Sequence, residues 1–398
     1  GCFHLSQRVE RLGSGVFARN DRRKLTYAAT AAELGLPPLL DLSLGSTDLQ
    51  PPEAAIEAIR AQLGTPASAS YCLHGATLPF REAVAAWAQR RFGVEVDPDR
   101  EVLLLVGSQE GTAHLPLAVL NPGDQALLLD PYYPSHRGGL QLASAQPRVL
   151  PLSAERGYAP DWDQLSASQW DALKLMVLGF PHNPTATTGE QAWLEAAAER
   201  AVRHGVVLAH DNPYVDLALD GDAPALLRSP LWRQCGIEFF SFSKAWCLGG
   251  YRLAFAIGAE PLITALRQLK GVVDFNQSLA LQAGAIAALE QALERARLRG
   301  VVAGHLTPGD LVRLPHAMTI VEKPAETTEA DQAAVAEAAV AAVGVVHKAV
   351  AVPIRELTVA AVLAAPSQFC ASARPRSRCC GSCRFGRRSS LPRNTPCA

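Results

Sequence analysis

The stretch GIEFFSFSKAWCLGGYRLAFAIG, Gly236 to Gly258, carries two short apolar runs. A lysine, Lys244, stands just beyond the first, and an arginine, Arg252, opens the second eight residues later. Each run reads as a short buried strand. The question is why cations should sit at the end of one buried strand and the start of the next.

The same theme recurs upstream. EVLLLVG (101–107), DQALLLDP (124–131), LKLMVLGFP (173–181) and GVVLAHDNP (205–213) are apolar runs ending in Gly, Pro or an acid. Helix-spaced segments such as EQAWLEAAAERAVRHG (190–205) lie between several of them. Buried strands alternating with helices predict an α/β fold with a mainly parallel sheet sandwiched by helices. In such sheets ligands bind beyond the carboxyl ends of the strands. The residues after each run are therefore the candidates: Ser108 and Gln109, then Tyr132 and Tyr133, then Asn183, then Asp211 and Tyr214, then Ser241, Ser243 and Lys244.

Composition narrows the class. The chain has 398 residues, with 37 basic against 38 acidic, which gives no general reason to expect nucleic acid. No apolar stretch is long enough to span a membrane; the richest, from Ala333 to Pro366, is broken by charges. The first residues lack the apolar core of a signal peptide, and no initiator Met is present, so a trimmed or incomplete start is expected. Cys2, Cys72, Cys235 and Cys247 are scattered, which suits an intracellular enzyme with thiols, and the expected location is cytoplasmic.

The chain changes character after about Leu289. Of 25 aromatic residues, only Phe369 and Phe385 lie beyond Phe275. Aromatic side chains dominate core burial, so this part is poorly equipped for an ordinary core. The last 29 residues hold seven arginines and no acid, leaving 30 basic against 38 acidic residues elsewhere. The tail reads either as disordered or as the product of a shifted reading frame. Cys380 and Cys383 form a lone CxxC without a second pair at metal-site spacing, so no metal is expected.

Each candidate has a plain alternative. Lys244 alone is a loop lysine, but beside Phe242 and Trp246 it loses solvation, which lowers its pKa and makes it a nucleophilic amine. Arg252, Ser241 and Ser243 are the types that hold a phosphate ester. Ser108 and the amides after Gly107 would add a helix N-terminus, although GSQEGT alone is a weak signal. Asp211 is either a helix cap or a buried counter-ion able to keep a pyridine nitrogen protonated. Asn183-Pro184 alone is a turn, and Tyr133 alone is packing.

Together, Gly107-Ser108-Gln109, DPYYP, PHNPT, HDNPY and SFSK followed by Arg252 resemble the class I/II aminotransferases of fold type I, which use pyridoxal 5'-phosphate. DLSLGSTDLQPP (41–52) resembles the family's N-terminal substrate segment, with Gly45 near the substrate, and YCLHGATLPFREAVAAW (71–87) its segment with a cross-subunit tyrosine. The resemblance covers roughly residues 8–290 and leans to the branch of the LL-diaminopimelate and succinyldiaminopimelate aminotransferases. It implies a Lys244 Schiff base, with Lys244 also shuttling the substrate proton. Asp211 would pair with the pyridine nitrogen, Tyr214 and Asn183 hold the ring oxygen, and Tyr133 stack on the ring. Ser108, Gln109, Ser241, Ser243, Arg252 and Tyr71 of the partner subunit would hold the phosphate. Gly45 and Asn183 would face substrate. A homodimer acting on an amino acid and a 2-oxo acid follows.

The expected organisation is an N-terminal arm and substrate segment (1–45), a large cofactor-binding domain (46–290), an atypical Ala/Val-rich region (291–369) and an Arg/Cys-rich disordered tail (370–398). The family's small C-terminal domain is expected to be absent or abnormal. Its carboxylate-binding arginine has no counterpart in context: neither Arg313 nor Arg355 sits in the motif. Two alternatives stay open at this point: other chemistry with the same cofactor, such as lyase or decarboxylase activity, and a cofactor-binding but inactive protein.

Overall fold

The computed structural model describes residues 3–290, apart from 14, 37, 38, 40, 42–44, 48, 219 and 220. The expectations for the small domain, Arg313, Arg355, Cys380 and Cys383 lie outside the described residues.

Seven strands form one sheet: β1 (Val102–Leu105), β2 (Gln125–Asp130), β3 (Gln146–Pro151), β4 (Leu173–Leu178), β5 (Val207–Asp211), β6 (Gly236–Ser241) and β7 (Ala254–Gly258). Their order is β1-β7-β6-β5-β4-β2-β3. The pairs among β2 to β6 are parallel, and β7 runs antiparallel to both β6 and β1. The six apolar runs all become strands. β3 went unread in the sequence because it is an edge strand with only Leu150 fully buried, and it carries Pro147 and Pro151. Proline is tolerated at such an edge because one side of the strand needs no ladder donor.

Helices cover both faces. They include α1 (Glu53–Gln62), α2 (Leu78–Phe92), α3 (Ser108–Val119), α4 (Pro134–Leu142), α5 (Gln191–His204), α6 (Glu260–Val273) and α7 (Leu279–Glu290). Alternate side chains of one strand point to opposite faces. Leu104, Leu127, Met176, Leu208, Phe240 and Phe255 meet Trp87 of α2, Leu194 of α5 and Ala288 of α7 on one face. Leu105, Leu128, Val177, Ala209 and Phe239 meet Leu115 of α3, Leu140 of α4 and Leu266 of α6 on the other. Strands buried on both faces explain the continuous apolar runs. Trp87 is an anchor of the first face, with edge-on contacts to Phe92, Phe240 and Phe255 at 5.1–5.3 Å. Such pairs contribute roughly 0.5–1.5 kcal/mol each beyond their buried area.

This topology brings the candidate residues to one edge. β1, β2, β4, β5 and β6 all end there. Because β7 is reversed, its beginning lies there too, next to Arg252.

Candidate active site

Lys244 follows β6 on a single helical turn, Phe242–Ala245, whose start is capped by Ser241 Oγ accepting from the Ser243 amide at 3.1 Å. The turn swings the lysine out of the sheet and over the strand ends. Its Nζ donates to the Gly45 carbonyl and lies 5.9 Å from the centre of the Tyr214 ring. Burial pulls the amine below its ordinary value, and the Arg252 charge adds to that shift. An amine with a depressed pKa is the reactive kind.

Asp211 ends β5 and is buried. Its Oδ2 is hydrogen-bonded to His136 Nε2 at 2.9 Å, and its Oδ1 is buried without a hydrogen-bond partner among the described residues. Asn183 donates through Nδ2 to the Tyr214 hydroxyl at 3.5 Å, and its buried Oδ1 likewise has no partner among them. Burial pushes the Tyr214 phenol well up, with Tyr133 and Asp211 adding to it, so the hydroxyl keeps its proton and can donate. Tyr133 precedes α4, stands edge-on to His136 at 5.6 Å and is raised by burial too. Tyr133, His136 and Asp211 therefore form one wall, with Asn183 and Tyr214 meeting as a pair and Lys244 above the Tyr214 ring.

A second cluster lies where β1 turns into α3. Gly107 has φ +78°, a left-handed conformation that favours glycine, and a Cβ there would lie 2.1 Å from Arg252 Nη2. Arg252 thus reaches across to the start of α3, where Ser108 is half-buried and Gln109 is exposed. Helix starts with open amides attract anions. Tyr71 is 90% exposed and contacts Phe275 at 6.3 Å between ring centres, on the surface of this chain.

The sequence reading missed several residues that hold these groups. His136 sits inside DPYYPSH, one strand end away from Asp211, but nothing local marks it as a partner. His210 and Glu238 are directly opposite on β5 and β6 and both 0% exposed. The Phe180 amide donates to His210 Nε2 at 3.1 Å, so that nitrogen is unprotonated, and Nδ1–H donates to Glu238 Oε1 at 2.7 Å. Glu238 also accepts from Asn212 Nδ2 and from the Leu226 and Leu227 amides. A polar residue inside a strand buried on both faces needs a partner. VLAHD and GIEFF each contain one, and that was the available signal. His182, next to Asn183, hydrogen-bonds Thr185 Oγ1 at 2.8 Å and is pushed down to about 3, mainly by burial, so it is neutral.

The residues fit pyridoxal 5'-phosphate. Two buried acceptor oxygens, on Asp211 and Asn183, have no protein partner among the described residues, and the lack of a side chain on Gly107 lets the Arg252 guanidinium sit against the turn into α3. A buried carboxylate, an amine and an anion cradle at one edge of a mainly parallel α/β sheet suit a cofactor with a protonated ring nitrogen, an aldehyde and a phosphate.

The family model for aminotransferase class I and II matches residues 37–305, and the chain belongs to that family. It is a pyridoxal-phosphate-dependent aminotransferase, acting on amino acids and 2-oxo acids. The LL-diaminopimelate aminotransferase of Nitratidesulfovibrio vulgaris (strain DSM 19637 / Miyazaki F) is 35% identical over 302 residues, covering 75% of this chain and 76% of that protein. Among solved structures, a probable N-succinyldiaminopimelate aminotransferase from Thermus thermophilus is 40% identical with TM-score 0.67, covering 73% of this chain and 78% of that one. BacF from Bacillus subtilis, with substrate bound, has TM-score 0.71 at 29% identity and covers 76% of each chain. The fold reading is borne out by these likenesses.

Proposed function

We propose that Lys244 is the covalent anchor of the cofactor, through a Schiff base of its Nζ, and that the amino donor is a diaminopimelate-type amino acid. The observation that carries the first part is the placement of a depressed-pKa amine over Tyr214, at the strand edge that also holds the Oδ1 atoms of Asp211 and Asn183, which have no partner among the described residues. The second part is supported by relatives named LL-diaminopimelate aminotransferase at 33–35% identity and by the name of the Thermus neighbour.

When bound, pyridoxal 5'-phosphate supplies an electron sink for negative charge at the substrate α-carbon. The protein's own part is positional. Asp211, held in orientation by His136, would face the pyridine nitrogen through Oδ1. The Tyr214 hydroxyl and Asn183 would hold the ring oxygen, and Tyr133 would stack on the ring. Ser108, Gln109, Ser241, Ser243 and Arg252, with Tyr71 of the partner subunit, hold the phosphate. Gly45 and Asn183 line the substrate side, and Lys244 Nζ moves the proton to and from the substrate α-carbon.

A homodimer is part of the proposal. Tyr71, Leu73, Val272, Val273 and Phe275 are exposed apolar side chains, and Tyr71 and Phe275 are in contact. Exposed apolar patches of this kind mark association surfaces. Cytoplasmic location is proposed on the buried free thiols of Cys72 and Cys235. No helix among the described residues is long and apolar enough to cross a membrane.

The test is an absorbance spectrum of the protein with pyridoxal phosphate, in wild type and Lys244→Ala, followed by a panel of amino acids. A near-visible band lost in Lys244→Ala supports the anchor, and bleaching by LL-diaminopimelate or its N-succinyl derivative supports the substrate class. A band that survives the lysine change overturns the first. Bleaching by other amino acids but by neither diaminopimelate overturns the second.

A further inference from the structure

The strongest unassigned feature is a side-chain clamp behind the anion cradle. Gln277 lies on the connection between α6 and α7. Its Nε2 donates to the Leu105 carbonyl and to the Arg252 carbonyl, both at 2.7 Å. Leu105 is the last residue of β1, and Leu105↔Ala254 is the final pair of the β1–β7 ladder. Beyond it the two chains part, one toward Gly107 and the start of α3, the other toward Arg252. The next ladder donor is diverted, because the Val106 amide donates to Glu110 Oε2. One amide group therefore joins the two arms of the cradle where strand pairing stops.

Arg252 needs such a restraint. Its backbone is in the left-handed region, φ 53° and ψ 49°, where a non-glycine residue persists only when its surroundings over-determine it. The Arg252 guanidinium is held from within the same turn by Nη1 donating to the Gly249 carbonyl at 3.0 Å. Gln277 holds the Arg252 carbonyl from outside that turn. It acts as a donor: both amide hydrogens are used, while its own Oε1 is buried with no hydrogen-bond partner among the described residues.

We propose that Gln277 is a positioning residue that fixes the separation of Arg252 from the Gly107–Ser108 turn, and so sets the fit of the phosphate cradle. This rests on the reading of Arg252 as a phosphate-holding residue. Loss of two hydrogen bonds, one half-buried and one exposed, predicts about tenfold weaker cofactor affinity in Gln277→Leu. Gln277→Lys keeps a donor of similar reach and should stay within about threefold of wild type.

The experiment is a pyridoxal phosphate titration of the apoprotein, full chain, followed by absorbance. It is run for wild type, Gln277→Leu, Gln277→Lys, Arg252→Ala and the Arg252→Ala/Gln277→Leu double variant, with apoprotein thermal unfolding alongside. If Gln277 acts through Arg252, its tenfold effect shrinks to about threefold or less once Arg252 is gone. Full additivity, wild-type affinity in Gln277→Leu, or a loss shared by Gln277→Lys overturns the proposal. Should the leucine variant not fold, Gln277→Met takes its place under the same criteria. An Arg252→Ala protein that binds the cofactor as wild type does would instead overturn the reading of Arg252, a separate failure.

Discussion

The guanidinium of Arg252 occupies the space where a side chain on Gly107 would begin: a Cβ there would lie 2.1 Å from Nη2. Gly107 also has φ +78°. Gly107→Ala therefore pushes Arg252 away and strains the turn into α3, at roughly 1–3 kcal/mol. We expect cofactor affinity to fall about tenfold or more, measured by absorbance titration of the apoprotein. Unchanged affinity would mean that Arg252 and this turn do not form the anion cradle.

His136 holds Asp211 through the 2.9 Å hydrogen bond to Oδ2. In His136→Leu, Asp211 Oδ2 loses this partner and the buried carboxyl group is no longer held in orientation. Cofactor affinity, read by absorbance titration of the apoprotein, should weaken. A hydrogen bond to a charged group is worth about 1.5–3 kcal/mol, so kcat should drop on the order of tenfold to a hundredfold. A kcat and a cofactor affinity both unchanged from wild type sink the role of His136.

What the sequence made legible follows from where the signal is local. Six strands were readable because burial on both faces makes continuous apolar runs, and β3 was not, because as an edge strand it buries little beyond Leu150. Lys244, Asp211 and Asn183 were readable because each closely follows or ends a strand. Gln277 was not, since its partners Leu105 and Arg252 are 172 and 25 residues away in sequence. The His210–Glu238 pair is likewise a contact between strands, set by register rather than by any local spacing.

Lys244 gives a prediction about pH. Its amine is depressed first by burial and then by the Arg252 charge. The folded site sheds its proton at a pH where the unfolded chain, titrating near 10.5, still binds one. This group therefore destabilises the apoprotein at low pH, and the penalty is relieved as pH rises from the folded value to 10.5. Removing the nearby cation in Arg252→Gln raises the lysine pKa. The rate of imine formation with pyridoxal, which lacks the phosphate, should then have its pH midpoint displaced upward. A midpoint that stays put or moves down refutes the coupling.

Tyr71, 90% exposed in the single chain, is proposed to serve the partner's site. Mixing Tyr71→Ala and Lys244→Ala subunits then creates one intact site per mixed dimer. Random exchange in a symmetric dimer predicts recovery of about a quarter of wild-type activity. No recovery despite demonstrated exchange would place Tyr71 outside the neighbouring site.

Glu238 is fully buried and accepts from His210, Asn212 and the Leu226 and Leu227 amides. Its removal strands four donors at once, and it loosens the anchor that His210 gives to Phe180, three residues before Asn183. Each buried donor left without its acceptor costs about 1–3 kcal/mol, whereas removing a donor together with its acceptor is milder. Glu238→Leu should therefore lower the denaturant midpoint strongly with the slope unchanged. The His210→Leu/Glu238→Leu double variant should lose less than the two single changes summed, since the histidine no longer needs its acceptor. Additive losses would show that the two residues support the strand edge independently, and that the loop carrying Asn183 is not held through them as a unit.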